Sequence, residues 1–256
     1  SWDRLAESAG TPARVLMESA GRAAAAIIAT RWADRIRQGV LVACGTGHNG
    51  GDGWVIARVL HVSGVPVWVT TSGEPVGELP TIAARLARDA GVREVPPDGP
   101  WPNAALVVDA LLGTGAQGVP RASVAALLGR IADLELPVIA VDGPSGLGLG
   151  DGAQQGSLPA VLSITFGGYR RGHLLARDEV GDVVVADIGL GVAPAEWPVL
   201  FSEAAAAAQL APFPADAHKG VRGRVVVVGG DEGMLGAARL AARAAFAAGA
   251  GLVHLV

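Results

Sequence analysis

The chain predicts an α/β domain of three α/β/α layers, built on a doubly wound, mostly parallel sheet. Three observations predict it. Short apolar runs rich in β-branched residues alternate with alanine-rich segments at helical spacing, the pattern of a parallel sheet with helices on both faces. The strand-like runs are apolar almost throughout, as in Val138-Ile139-Ala140-Val141, because both faces of such a strand are covered. Gly is abundant, at 37 of 256 residues, while aromatics make up only 4%, so helices can lie close against the sheet.

The elements follow in order. Residues 14–32 are alanine-rich, free of proline and apolar at helical spacing, which predicts a helix. Residues 40–43 predict a strand that ends in the loop Gly45-Thr46-Gly47-His48-Asn49-Gly50-Gly51-Asp52-Gly53, and residues 54–62 resume a helical pattern. Strands are predicted at 65–70, 105–108, 137–141, 161–166 and 182–186, and helices at 79–90 and 122–134. Residues 1–195 therefore read as one domain. A Pro- and Ala-rich connector, 196–216, carries a helix at 202–210. A fresh strand (224–228), a glycine turn, a helix (236–248) and a strand beginning at 251 then start a second unit over 217–256. The chain opens on Ser1 rather than Met and stops inside the apolar run 251–256, so both ends read as cut.

Composition narrows the function. Half the residues are hydrophobic and 17% are charged, with a formal net charge of -4. No broad basic surface is available, so nucleic acid is not an expected partner. No run is long and apolar enough for a membrane span, and no signal-peptide pattern opens the chain. The single cysteine, Cys44, excludes an intramolecular disulfide and fits a reducing, cytoplasmic setting.

In an open α/β sheet, ligands bind outside the carboxyl ends of the strands, near the point where strand order reverses. Three predicted strand ends carry glycine beside an oxygen-bearing side chain: Asn49 and Asp52 at the first, Asp109 at the second, Asp142 and Ser145 at the third. Glycines there let the backbone approach a ligand and expose N–H groups to phosphate. Gly45, Gly47 and Gly50 match G-x-G-x-x-G, yet the acid that a dinucleotide site wants at the end of the next strand is absent; Thr70-Thr71-Ser72 stands there and Glu74 lies beyond. A Walker loop is excluded because no Gly-Lys-Ser/Thr follows. Asp109 and Asp142 could each be a turn or capping carboxylate. Together with Asn49 and Ser145 they form an all-oxygen set that suits a hard cation, and no cysteine or histidine cluster points to zinc. Cys44 reads as a buried apolar residue. Trp54 could line the crevice or pack. His61, His173 and His254 have no evident partner.

In this order the three segments resemble the epimerase domain of the NAD(P)H-hydrate repair enzymes, the YjeF N-terminal family, whose domain is Rossmann-like. Met17-Glu18-Ser19-Ala20-Gly21 resembles M-E-N-A-G. Residues 45–53 resemble G-x-G-N-N-G-G-D-G, the most specific motif. Asp109-Ala110-Leu111-Leu112-Gly113-Thr114-Gly115 resembles D-A-L-F-G-T-G, and Asp142-Gly143-Pro144-Ser145-Gly146-Leu147 resembles D-I-P-S-G-L. Thr165-Phe166-Gly167 and Ala186-Asp187-Ile188-Gly189 match T-F-G and A-D-I-G. The likeness covers about residues 3–190. It implies that Asn49, Asp109 and Ser145 hold a potassium ion. It also implies that His48, Asn49, Gly50, Gly51, Asp52, Gly113, Thr114, Gly115, Ala116, Gln117, Gly118, Val119 and Asp142 contact the hydrated dinucleotide. A homodimer is implied as well. The chain departs from the pattern at His48 (Asn in the family), at Gly143 (Ile or similar) and at Gly168-Tyr169-Arg170-Arg171-Gly172, where Arg170 stands in the lysine position of A-P-K-P-G; Arg keeps the charge but not the chemistry of Lys.

Residues 217–256 resemble the start of the companion dehydratase domain, which is ribokinase-like, through His218-Lys219-Gly220, Gly223-Arg224 and 229–238. The expected parent is bifunctional, with no ADP-dependent dehydratase activity from this chain because the G-T-G-D motif would lie past Val256. The expected reaction is epimerisation at C6 of the hydrated nicotinamide ring of NADHX or NADPHX, with Asp142 as the acid/base or charge-stabilising group. The alternatives are an NAD-dependent oxidoreductase, which lacks its ribose acid here, and a non-catalytic dinucleotide-binding or scaffold module.

Overall fold

The computed structural model describes residues 2–210 and 212–256. The chain divides into two compact units, the first ending at Trp197 and the second beginning at Pro198. In the first, α1 (Trp2–Ser8), α2 (Ala13–Arg31) and α3 (Ala33–Ile36) precede β1 (Val40–Cys44). There follow α4 (His48–Val62), β2 (Val67–Thr71), α5 (Glu78–Asp89), β3 (Arg93–Glu94) and β4 (Leu106–Ala110). The unit is completed by α6 (Ala122–Ala132), β5 (Val138–Val141), β6 (Leu162–Phe166), α7 (Arg171–Leu175), α8 (Arg177–Val180) and β7 (Asp182–Ala186).

The seven strands form one sheet in the order β3-β2-β1-β4-β5-β6-β7, and every pair is parallel. The chain winds outward from β1 to β3, returns to the middle, and winds the other way from β4 to β7. The reversal falls between β1 and β4, and that is the topological switch point. Every residue of β1, β4, β5 and β6 is buried, as expected of strands covered on both faces. On one face Ile28, Trp54 and Ala84 of α2, α4 and α5 pack on Val42, Val108 and Val141. On the other, Val124, Leu127, Leu128 and Ile131 of α6 pack on Ala43, Val107 and Val138. Each such Leu, Ile or Val contributes about 1.5–3 kcal/mol by leaving water.

The Met17-to-Gly21 segment is a packing plate for α4. A Cβ on Gly21 would strike the Val55 side chain, and Met17 lies against Gly51, where an added Cβ would come within 2.7 Å of it. Glu18 pairs with Arg58 of α4 at 2.6 Å.

The structure moves several predicted boundaries. The second strand starts at Val67 rather than at residue 65, because Pro66 has no N–H to give the ladder; its carbonyl still accepts from Val40 N–H at 2.9 Å. The strand predicted at 105–108 extends to Ala110, so Asp109 lies within it. Helices α1, α3, α7 and α8 and the two-residue β3 were not predicted. Each is short, and α1 is held by context: Trp2 packs where a Cβ on Gly167 would otherwise sit, 3.0 Å away.

In the second unit, Ser202 caps α9 (Glu203–Gln209), its hydroxyl accepting from Ala205 N–H at 3.2 Å. Strands β8 (Arg224–Val227) and β9 (Leu252–Leu255) pair in parallel around α10 (Gly236–Ala247). Val226, Leu240 and Phe246 stay exposed. Among the described residues no helix is long and apolar enough to cross a membrane.

Candidate functional site at the switch point

The tips of β1, β4 and β5 lie side by side, with Ala43 beside Asp109 and Asp109 beside Ala140. The glycine segment after β1 is mostly not a loop. Helix α4 begins at His48, so Asn49, Gly50, Gly51 and Asp52 belong to its first turns. The glycines are required by close approach rather than by turn flexibility. A Cβ on Gly45 would strike the Leu111 carbonyl oxygen, and one on Gly50 the Gly45 carbonyl oxygen. At Gly53 it would lie 2.6 Å from Ala110 Cβ and 2.8 Å from Cys44 Sγ. Helix α4 is thereby pressed onto the strand tips, and its first N–H groups lack partners inside the helix.

Asn49 is buried. Its Nδ2 donates to Leu112 O at 2.9 Å and to Val141 O at 3.3 Å. Two carbonyl acceptors fix the amide orientation and leave Oδ1 buried without a partner. Asp109, 1% exposed, accepts from Leu111 N–H at 3.1 Å, from Ser145 N–H at 2.8 Å and from the Ser145 hydroxyl at 2.6 Å. The Ser145 oxygen accepts in turn from Leu112 N–H at 2.8 Å. Burial raises the Asp109 carboxyl above its usual range, against the Ser145 and Leu111 bonds. These bonds tie the tips of β4 and β5 and the first turn of α4 into one cradle.

Asp142 follows β5 with φ +64°, a left-handed conformation uncommon outside glycine. Its N–H bonds Ile164 O at 2.8 Å. Burial pushes its carboxyl up to about 6, opposed by the Arg170 charge and the Thr114 and Phe166 N–H groups and aided by Asp3. Asp52, only partly exposed, is raised well above its usual range by burial first, then by Asp142 and Asp3. Three carboxylates and one guanidinium thus share a field at the mouth of the cradle. His173 is buried beneath it. Its Nε2 lies 2.6 Å from Asp142 O, and its Nδ1 accepts from Arg170 N–H at 3.0 Å. Burial lowers its pKa.

Asn49, Asp109, Ser145 and Asp142 are therefore brought together. Gly113 joins them, since a Cβ on it would lie 3.0 Å from Asn49 Cβ and 3.2 Å from Asp142 Oδ2. Thr114, Gly115, Gln117, Gly118 and Val119 are exposed beyond it. Gly113, Ala116 and Gly118 edge a small recess with Pro144 and Gly146. Val119 instead lines a cavity of about 430 Å³ with Leu128 of α6 and Leu158. His48 is exposed at the head of α4. Trp54 does not line the crevice; it is fully buried in the core. Cys44 is buried, and burial raises its thiol. The sequence reading missed Asp3 and His173. Asp3 carries no local signal. His173 stands next to the Arg170-Arg171-Gly172 segment, and that adjacency was the available clue.

A family model described as YjeF-related protein N-terminus matches residues 13–172. The chain belongs to this family. The matched stretch contains every member of the YjeF-related cradle from Asn49 to Arg170. Among similar proteins, the bifunctional NAD(P)H-hydrate repair enzyme Nnr of Escherichia coli (strain K12) is 37% identical over 94% of this chain and 48% of its own length. The protein of that name from Coxiella burnetii is 36% identical over 98% and 53%. The bifunctional NAD(P)H-hydrate repair enzyme of Leishmania major is 34% identical over 100% and 50%. The chain thus spans about half the length of the curated relatives it matches. The crystal structure of yeast ynu0 superposes with a TM-score of 0.59 over 81% of this chain and 88% of that one, at 19% identity, so the two share the fold.

Proposed function

We propose that the first unit epimerises the R and S forms of NADHX and NADPHX at C6 of the hydrated nicotinamide ring. One observation carries the reading: the α4 N-terminus, Asn49, Asp109, Ser145 and the raised carboxyl of Asp142 meet at the switch point of a doubly wound sheet. The names of the relatives supply the substrate class. Inversion at C6 requires the carbon–oxygen bond there to break and re-form, or the ring to open. Either route moves a proton at the C6 oxygen and develops charge beside the ring nitrogen. A carboxyl that titrates at about 6 exchanges a proton with that oxygen near neutral pH. Its carboxylate form, beside Arg170, stabilises positive charge on the ring. The N–H groups at the start of α4 take the pyrophosphate, with His48, Gly50, Gly51 and Asp52 beside it. Gly113, Thr114, Gly115, Ala116, Gln117, Gly118 and Val119 form a flap along the dinucleotide.

The cradle also fits a potassium ion. Asn49 Oδ1 is a buried oxygen with no hydrogen-bond donor, Asp109 is a buried carboxylate, and Ser145 Oγ retains a free lone pair. A hard cation takes oxygen donors of this kind, and it would offset the cost of an ionised Asp109 in the interior. Bound there, it would lend the crevice positive charge for the dinucleotide and brace the strand tips. In this reading the second unit is the opening of a ribokinase-like dehydratase domain of a longer repair enzyme, and the protein acts as a cytoplasmic homodimer. The test is direct. Enriched (R)-NADHX incubated with the protein is expected to re-equilibrate toward the S form by chromatography, with no oxidation of intact NADH. Persistence of the starting epimer would remove the proposal.

A further inference from the structure

We propose that His173 is a positioning residue that sets the backbone of both Asp142 and Arg170, and so the approach of the Asp142 carboxyl to substrate. The role rests on the epimerase reading; the contacts stand without it.

Asp142 holds a left-handed φ of +64°, a region that few residues other than glycine, asparagine and aspartate visit. Such a conformation persists only where the surroundings over-determine it. Two bonds do so here. Asp142 N–H is tied to Ile164 O at 2.8 Å, and its carbonyl faces His173 Nε2 at 2.6 Å. The direction of the second bond follows from the other side of the ring. Nδ1 accepts from Arg170 N–H at 3.0 Å, so the ring proton sits on Nε2 and is donated to the Asp142 carbonyl. The imidazole is 2% exposed, and burial favours the neutral form that this pattern needs. One ring therefore bridges the backbone of the carboxyl and of the guanidinium that tempers it.

Gly143 completes the arrangement. Its φ is not positive, so backbone conformation does not call for glycine. A Cβ there would lie 3.4 Å from His173 Nε2 and 2.6 Å from Leu149 Cδ2. The missing side chain leaves the space that Leu149 and the imidazole fill.

The experiment compares His173→Leu with His173→Gln in the whole chain; the glutamine amide nitrogen can still donate to the Asp142 carbonyl. With NADHX, the Leu variant is expected to lose about ten- to a hundredfold in kcat, the scale of an Ångström-sized misplacement, with KM little changed. The Gln variant should recover most of that loss. Wild-type kcat in the Leu variant, or an equal fall in both, overturns the proposal. Nitrogen-15 NMR of the imidazole, with the Gln variant identifying the signal, reads the contact independently of activity. A neutral ring protonated at Nε2 through pH 6–8 is expected, and an Nδ1–H tautomer or a freely titrating ring overturns it. A wild-type protein that fails to epimerise while giving the Nε2–H signal would sink the functional reading and leave the contact in place.

Discussion

At the scale of single residues, the cradle separates the two carboxylates Asp109 and Asp142 by their partners. Asp109 has its oxygens held by Ser145 and Leu111, whereas Asp142 faces the crevice from a strained backbone with Arg170 nearby. In the proposed reading the first holds the cation and the second reacts. Asp142→Asn is expected to abolish epimer exchange without loss of the fold. The sign for stability follows from its raised pKa. The fold favours the neutral carboxyl, so this contribution is complete below the unfolded value near 3.9 and is lost as pH rises through about 6. At pH 8 Asp142→Asn should therefore be more stable than the wild type, by about 1–2 kcal/mol once partial solvation is allowed for, measured by urea unfolding. Asn also accepts positive φ readily. With Asp142 as base, kcat/KM should fall on the acid side with a midpoint near 6. Arg170→Ala should move that midpoint upward, because the guanidinium favours the charged form. Asp109→Ala should act differently. It leaves the Ser145 and Leu111 donors unpaired, which predicts a stability loss of about 2–3 kcal/mol together with loss of any activation by potassium. A variant equal to wild type in both would remove Asp109 from the cation site.

At the scale of elements, the decisive contact is α4 on the tips of β1 and β4. Gly50→Ala would drive a methyl group into the Gly45 carbonyl, which is backbone and not the end of a flexible side chain. A loss of about 2 kcal/mol or more is expected from such overpacking, read as a lower denaturant midpoint. Removing the Glu18–Arg58 pair should cost under about 1 kcal/mol, because both side chains keep some solvent. This ranking marks how far the sequence could be read. The strand-glycine-helix rhythm was legible, and so was the convergence of Asn49, Asp109 and Ser145, because each follows an apolar run. The start of α4 was not legible. Glycine reads as a turn residue, and only the packing shows that Gly45, Gly50 and Gly53 are small in order to let two backbones approach. Short elements such as α1 and α7 carry too few residues to show a period. Asp3, which α1 brings to the site, was out of reach for that reason, and His173 of α7 showed only through its place beside Arg170-Arg171-Gly172.

At the scale of the whole molecule, the two units differ in what they bury. The first has a sheet covered on both faces. The second has two strands and a long helix with Val226, Leu240 and Phe246 exposed, and a sheet of two strands is marginal by itself in water. Limited proteolysis should therefore cut first after Trp197, and residues 2–197 should keep the epimer exchange rate of the full chain. Loss of activity or solubility on removing residues 198–256 would show that the site depends on the second unit.

In the proposed function one cradle at the β1–β4 reversal binds the hydrated dinucleotide with its reacting ring against Asp142. The deciding measurement is a crystal structure with NADHX bound. Density is expected to run from the start of α4 across Asn49 and Gly113, with the oxygen on C6 of the hydrated nicotinamide ring within hydrogen-bonding reach of the Asp142 carboxyl. Density confined to the cavity between Val119 and Leu128, or a nicotinamide ring directed away from Asp142, would contradict it.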